Sequence, residues 1–234
     1  MGGVAKLRIA EIFTSIQGEG GWVGIPSVFV RISGCNLRCV WCDTPYASWN
    51  PEGETFDVQD VVARVAEAGV RHVVVTGGEP MLFEATEDLC SELVLNGHRV
   101  TIETAGTVHR DVACDLMSIS PKLANSTPDD PVWTERHEMT RRNLDPLRQL
   151  LQTYEHQLKF VVNPERQLEE QISEIETLLD AVGADRKRVL LMAEGTDAET
   201  LHRREQLLVP HCIRLGYRLT PRFHVDLFGN SRGT

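Results

Sequence analysis

Three cysteines, Cys35, Cys39 and Cys42, lie close together in the stretch GCNLRCVWCDT, residues 34–44. Thiolates this dense bind zinc or an iron–sulfur cluster. Structural zinc closes a shell of four ligands, usually from paired CxxC knuckles, whereas this run stops at three. The other cysteines, Cys90, Cys114 and Cys212, have no cysteine close by in sequence and read as small buried hydrophobes. Two readings follow. In one, a zinc-stabilised binding module draws its fourth ligand from Cys90, Cys114 or a histidine. In the other, three thiolates hold a cubane cluster and leave one iron free to chelate a small molecule through an amine and a carboxylate.

Such a loop needs a scaffold. Apolar, β-branched runs bounded by Gly, Pro or Asp mark buried strands at 27–32, 72–75, 99–103, 116–120, 158–162 and 188–192. Amphipathic helical patterns alternate with them: DVQDVVARVAEAG, with Asp57 as N-cap and Gly69 just past the end, then ATEDLCSELVLNG, PERQLEEQISEIETLLDAVG and TDAETLHRREQLL. The alternation predicts a single α/β domain over residues 1–234, a mostly parallel sheet with helices packed outside it. Six strands are too few for an eightfold barrel, so a partial (β/α) barrel is expected. Two stretches, 48–56 and 122–138, read as loops. The cysteine run, TGGEP (76–80), TAG (104–106) and PK (121–122) each follow a strand, so four motifs converge on one sheet edge, where such folds do their chemistry.

Composition narrows the partners. The chain has 234 residues and a formal net charge of −10, with no clustered Lys/Arg patch beyond Arg141-Arg142 and His202-Arg203-Arg204. Nucleic acid and anionic membranes are not expected partners. No apolar run is long enough to span a bilayer, and the N-terminal segment lacks the build of a signal peptide. A cytoplasmic location is expected, where cysteines stay reduced unless a metal or catalysis uses them.

The residues also carry a resemblance. CNLRCVWC, with Trp41 as the aromatic before the last cysteine, resembles the signature of radical S-adenosylmethionine enzymes, and TGGEP resembles their GGE motif. The stretch FTSIQGEGGWVGIPSVFVRISGCNLRCVWCDT is similar throughout to the 7-carboxy-7-deazaguanine synthase family, as are ETAG, SPK, KFVV and FHVDLFGNSRG further on. The resemblance implies a radical-SAM partial barrel that converts 6-carboxy-5,6,7,8-tetrahydropterin to 7-carboxy-7-deazaguanine with loss of ammonia. It implies a [4Fe-4S] cluster, S-adenosyl-L-methionine and Mg²⁺, an external electron donor of flavodoxin or ferredoxin type, and a homodimer. Cys35, Cys39 and Cys42 would hold the cluster. Trp41, Cys42, Asp43, Gly78, Ser120, Pro121 and Lys122 would meet S-adenosylmethionine, and Thr44 would ligate Mg²⁺. Ile16, Gln17, Gly18, Arg31 and Thr76 would contact substrate, with the planar fork of Arg31 suited to its carboxylate.

Three points stay open on sequence. Glu103 is either a ribose partner or a plain strand-end carboxylate. Thr44 is either a ligand or a turn residue. Arg222 and His224 alternate with apolar residues in RFHVDL, as an exposed strand face would. The enzymatic rival is a glycyl-radical-enzyme activase, which shares the cysteine signature but acts on a protein chain. QGEG and Arg31 favour a small anionic substrate.

Overall fold

The computed structural model describes residues 5–234. Its strands are β1 (Lys6–Ile16), β2 (Pro26–Ile32), β3 (Glu54–Asp57), β4 (His72–Gly77), β5 (Arg99–Thr104), β6 (Leu116–Ile119), β7 (His156–Val162), β8 (Val189–Ala193) and β9 (Arg218–Thr220). Its α-helices are α1 (Val58–Glu67), α2 (Ala85–Leu95), α3 (Pro131–Arg142), α4 (Asp145–Thr153), α5 (Leu168–Val182), α6 (Ala198–Leu215) and α7 (Phe223–Phe228). All strands join one sheet in the order β3-β1-β2-β4-β5-β6-β7-β8-β9. Strand β1 runs antiparallel to β2 and β3, and every pairing from β2 to β9 is parallel. β3 and β9 are separate edges, so the sheet is open, as a partial barrel requires.

The six expected strands are β2 and β4 to β8. Their apolar runs hide a period of two that positions the site. Val30, Ile32, Val73, Val75, Ile102, Met117, Ile119, Phe160, Val162 and Leu191 belong to the continuous core. The residues between them, Phe29, Arg31, Thr76, Glu103, Ser118, Lys159 and Met192, border a cavity instead. Alternate side chains of a strand point to opposite faces, so one sheet supplies both the apolar core and a polar wall.

Several local expectations are corrected. β1 and β9 were not legible: β1 interleaves charged residues with its apolar ones, and β9 has three residues. The end of the 48–56 loop belongs to β3, which pairs with the start of β1. Residues 131–142, within and beyond the expected 122–138 loop, form α3. Asp130 caps it by accepting from the Val132 and Trp133 amides, and Pro131 fills its first turn. RFHVDL is not a strand: α7 occupies it, and Arg222 is buried rather than exposed. Too short to show a helical period, α7 leaves an alternation that carries no strand information. Helix α6 also runs on through Pro210 to Leu215. Asp57 precedes α1 as expected, but its carboxylate pairs with Lys6 rather than capping the helix.

Candidate active site

The carboxyl ends of the parallel strands open into a cavity of about 730 Å³, within the range of small-molecule sites. Ile16, Gln17, Gly18, Arg31, Cys35, Cys39, Trp41, Cys42, Asp43, Thr44, Thr76, Gly78, Ser120 and Lys122 all border it. Pro121 does not: it is buried, while its neighbours Ser120 and Lys122 take the cavity side.

Backbone hydrogen bonds close the cysteine loop and tie it and the end of β2 to the GGE turn. Gly34 N donates to Ala47 O (2.8 Å), Gly78 N to Ile32 O (3.0 Å) and Glu79 N to Gly34 O (2.8 Å). A Cβ on Gly78 would stand 2.2 Å from Gly34 O and 2.5 Å from Ala47 O; Gly77 has φ +141° and Ile32 O in the same position. The glycines are therefore demanded by loop-on-loop contact. Glu79 is fully buried and receives Met81 N, Thr104 Oγ1 and Ala105 N at 2.8–3.0 Å, tying this turn to the end of β5. Burial raises its pKa, offset in part by those hydrogen bonds.

The three thiols suit an iron cluster by their chemistry. Burial pushes Cys35 up to about 12 and Cys39 to about 11, so without a cation these two stay protonated. Iron binding would replace those protons with metal. Among the described residues, no three His, Cys, Asp or Glu are grouped to hold a single metal ion; cubane ligands instead each bind a different iron. Lys122 Nζ is anchored by Ser120 O and Oγ (2.8 and 2.7 Å) and lies 5.6 Å from the Trp41 ring. The Thr44 hydroxyl approaches Cys42 Sγ at 3.8 Å, while its carbonyl accepts Ala47 N in the turn.

Arg31 and Thr76 are register partners across β2 and β4. Arg31 Nε donates to Glu11 Oε1 (2.6 Å), which also accepts the Tyr46 hydroxyl (2.7 Å). This fixes the guanidinium through one nitrogen; among the described residues, its two terminal nitrogens have no protein acceptor. Glu103 is held by Thr76 Oγ1 (2.9 Å) and Gln17 Nε2 (3.1 Å), so both predicted substrate residues orient one carboxylate.

Sequence reasoning missed a buried ion network on the same wall. Glu19 pairs with Lys159 and with Arg222 Nε (3.1 Å), and Arg222 also reaches Asp43 and Gly195 O. Burial alone would raise the Glu19 carboxyl, but the two cations hold it far below the carboxylate range. Glu19 lies in QGEG and Lys159 in KFVV, so the motifs were visible, but not which of their residues face inward. His224 also lines the cavity, its pKa lowered by burial.

Comparison with known proteins agrees with this geometry. Residues 29–151 match the radical SAM superfamily. An open parallel sheet presenting a CxxxCxxC loop and a GGE turn to one cavity defines a radical S-adenosylmethionine enzyme. Over 98% of its length the chain is 45% identical to 7-carboxy-7-deazaguanine synthase of Rhodopirellula baltica, covering 90% of that protein. The enzyme of the same name from Halobacterium salinarum is 43% identical over 97% of the chain and 93% of its own length. The chain belongs to the 7-carboxy-7-deazaguanine synthase family. In fold it resembles the crystal structure of QueE from Escherichia coli, with a TM-score of 0.68 and 24% identity over 94% of this chain and 95% of that one.

Proposed function

We propose that this cavity converts 6-carboxy-5,6,7,8-tetrahydropterin to 7-carboxy-7-deazaguanine with loss of ammonia, in deazapurine (queuosine-type) biosynthesis. One observation carries the assignment: the cysteine loop, the GGE turn and the half-free guanidinium of Arg31 border the same cavity. When bound, the cluster and S-adenosylmethionine would supply one-electron chemistry for hydrogen-atom abstraction from the substrate.

The chain's own residues bind, orient and shield. Cys35, Cys39 and Cys42, which line the cavity, would hold the cluster. Gly78, Trp41, Asp43, Ser120 and Lys122 border the space for S-adenosylmethionine, with the Lys122 ammonium over the Trp41 face. The two free nitrogens of Arg31 receive the substrate carboxylate bidentately. Gln17, Thr76 and Glu103 meet the pterin's donors and acceptors, and Ile16 and Gly18 form the floor. Thr44 would supply a hydroxyl to Mg²⁺, a hard cation that prefers oxygen ligands. Electrons come from an external flavodoxin- or ferredoxin-type donor. Val40, between two cluster ligands and 58% exposed, brings the cluster loop to the surface there. The working unit is a homodimer, for which exposed Val209 and Ile213, one turn apart on α6, offer an apolar face.

Replacing Arg31 by Met tests the assignment. Substrate KM should rise by roughly 10- to 100-fold, the loss of a charge-assisted pair, while S-adenosylmethionine cleavage persists uncoupled from product. An unchanged KM removes Arg31 from the substrate site.

A further inference from the structure

The loop carrying the cysteines has little regular hydrogen bonding of its own, so its amides must find partners elsewhere. Between Cys35 and Cys42, three donors go to one neighbouring segment. Arg38 N donates to His137 Nδ1 (3.2 Å), Val40 N to Ser126 O (2.9 Å) and the Trp41 indole to Asn125 O (3.0 Å). Only His137 uses a side chain to accept. It lies on α3, is fully buried, and its Nε2 faces Ser126 Oγ at 2.8 Å. The Ser126 hydroxyl donates to Leu123 O at 2.6 Å.

Donor and acceptor roles along this chain allow one arrangement. A backbone amide can only donate, so Nδ1 must accept and carries no proton. Ser126 has spent its hydroxyl proton on Leu123, so Nε2 must be the donor. His137 is therefore the neutral Nε2–H tautomer, and its burial, which holds its pKa down at about 4, keeps it so at neutral pH. His137 is not among the residues that border the cavity.

We propose that His137 is a positioning residue for the iron–sulfur cluster: by accepting the Arg38 amide it fixes the backbone between Cys35 and Cys39. The proposal rests on the cysteines holding that cluster. Without the acceptor, Arg38 N becomes a part-buried donor with no protein partner, and the loop relaxes away from the geometry that spaces the thiolates.

The test compares anaerobically reconstituted wild type with His137→Asn, His137→Gln and His137→Leu. Asn places an oxygen where Nδ1 lies and can accept the amide; Gln keeps a nitrogen donor toward Ser126 but no acceptor at that point. Two quantities are read: iron release to bathophenanthroline disulfonate, followed with the cluster's visible absorbance, and the unfolding midpoint of each apo-protein. Release from Gln and Leu should be on the order of tenfold faster than wild type, and from Asn within about threefold, as expected for one stranded, part-buried donor. The apo midpoints of Asn and Gln should agree. Wild-type release from Gln, or release that tracks apo stability across the variants, overturns the proposal. Should Leu fail to fold, the Asn–Gln pair decides alone. A wild-type protein that takes up no iron overturns the cluster reading and this proposal with it.

Discussion

Glu19 and Lys159 face one another across the cavity wall, with side chains 14% and 7% exposed. Removing one member of such a pair strands the other's charge away from water. Glu19→Gln leaves the Lys159 ammonium without a carboxylate partner, a loss of roughly 3–5 kcal/mol for a buried pair. Lys159→Met should cost less, about 2 kcal/mol, because Arg222 still neutralises Glu19. In the double variant neither charge of the pair remains, and similar volume is kept. Its cost should be about 2–3 kcal/mol, well short of the sum of the singles, for a coupling of roughly 2–5 kcal/mol. Urea unfolding of the apo-protein under reducing conditions, followed by the fluorescence of its four tryptophans, gives all four corners of the cycle. Additivity within about 0.5 kcal/mol would show that the pair is solvated and that the wall is not the dry, charged surface described above.

Gly78→Ala should destabilise the fold by about 1–3 kcal/mol or more, because both colliding atoms are backbone carbonyl oxygens; denaturant midpoints check this, and a neutral result would mean the two loops are not in contact. Acid should unfold the protein early. Burial holds His72 and His137 down at about 4, both neutral and hydrogen-bonded through both ring nitrogens. Their pKa values are depressed below the unfolded value near 6.5, so their contribution is full above that pH and fades as pH falls toward 4. The loss is on the order of 2 kcal/mol each; His72→Gln should flatten that pH dependence, and an unchanged slope would refute the assignment.

Much of the candidate site was legible because its chemistry is local. Three cysteines, a Gly-Gly-Glu turn and an arginine inside an apolar strand are each short-range signals, and strand-end placement links them in the sequence itself. What stayed hidden depends on closure of the sheet. Glu11 became the anchor of Arg31 only when β1 paired with β2. Glu19, Lys159 and Arg222 lie far apart in sequence and meet only when the β1–β2 connection, β7 and the C-terminal segment converge. Helix α3 was hidden for another reason: PVWTERHEMTRR has few apolar residues and one fully buried side chain, His137, so no stripe announces it. Its start signal, Asp130 followed by Pro131, was present and reads equally well as a turn.

The most direct measurement is anaerobic turnover. The chain is reconstituted with iron and sulfide, reduced with dithionite, and given S-adenosylmethionine, Mg²⁺ and 6-carboxytetrahydropterin, with product followed by mass spectrometry. The account predicts 7-carboxy-7-deazaguanine from the wild type and none from Cys39→Ala. A reconstituted cluster that cleaves S-adenosylmethionine but yields no deazapurine would contradict the substrate assignment, and cleavage retained by Cys39→Ala would contradict the cluster itself.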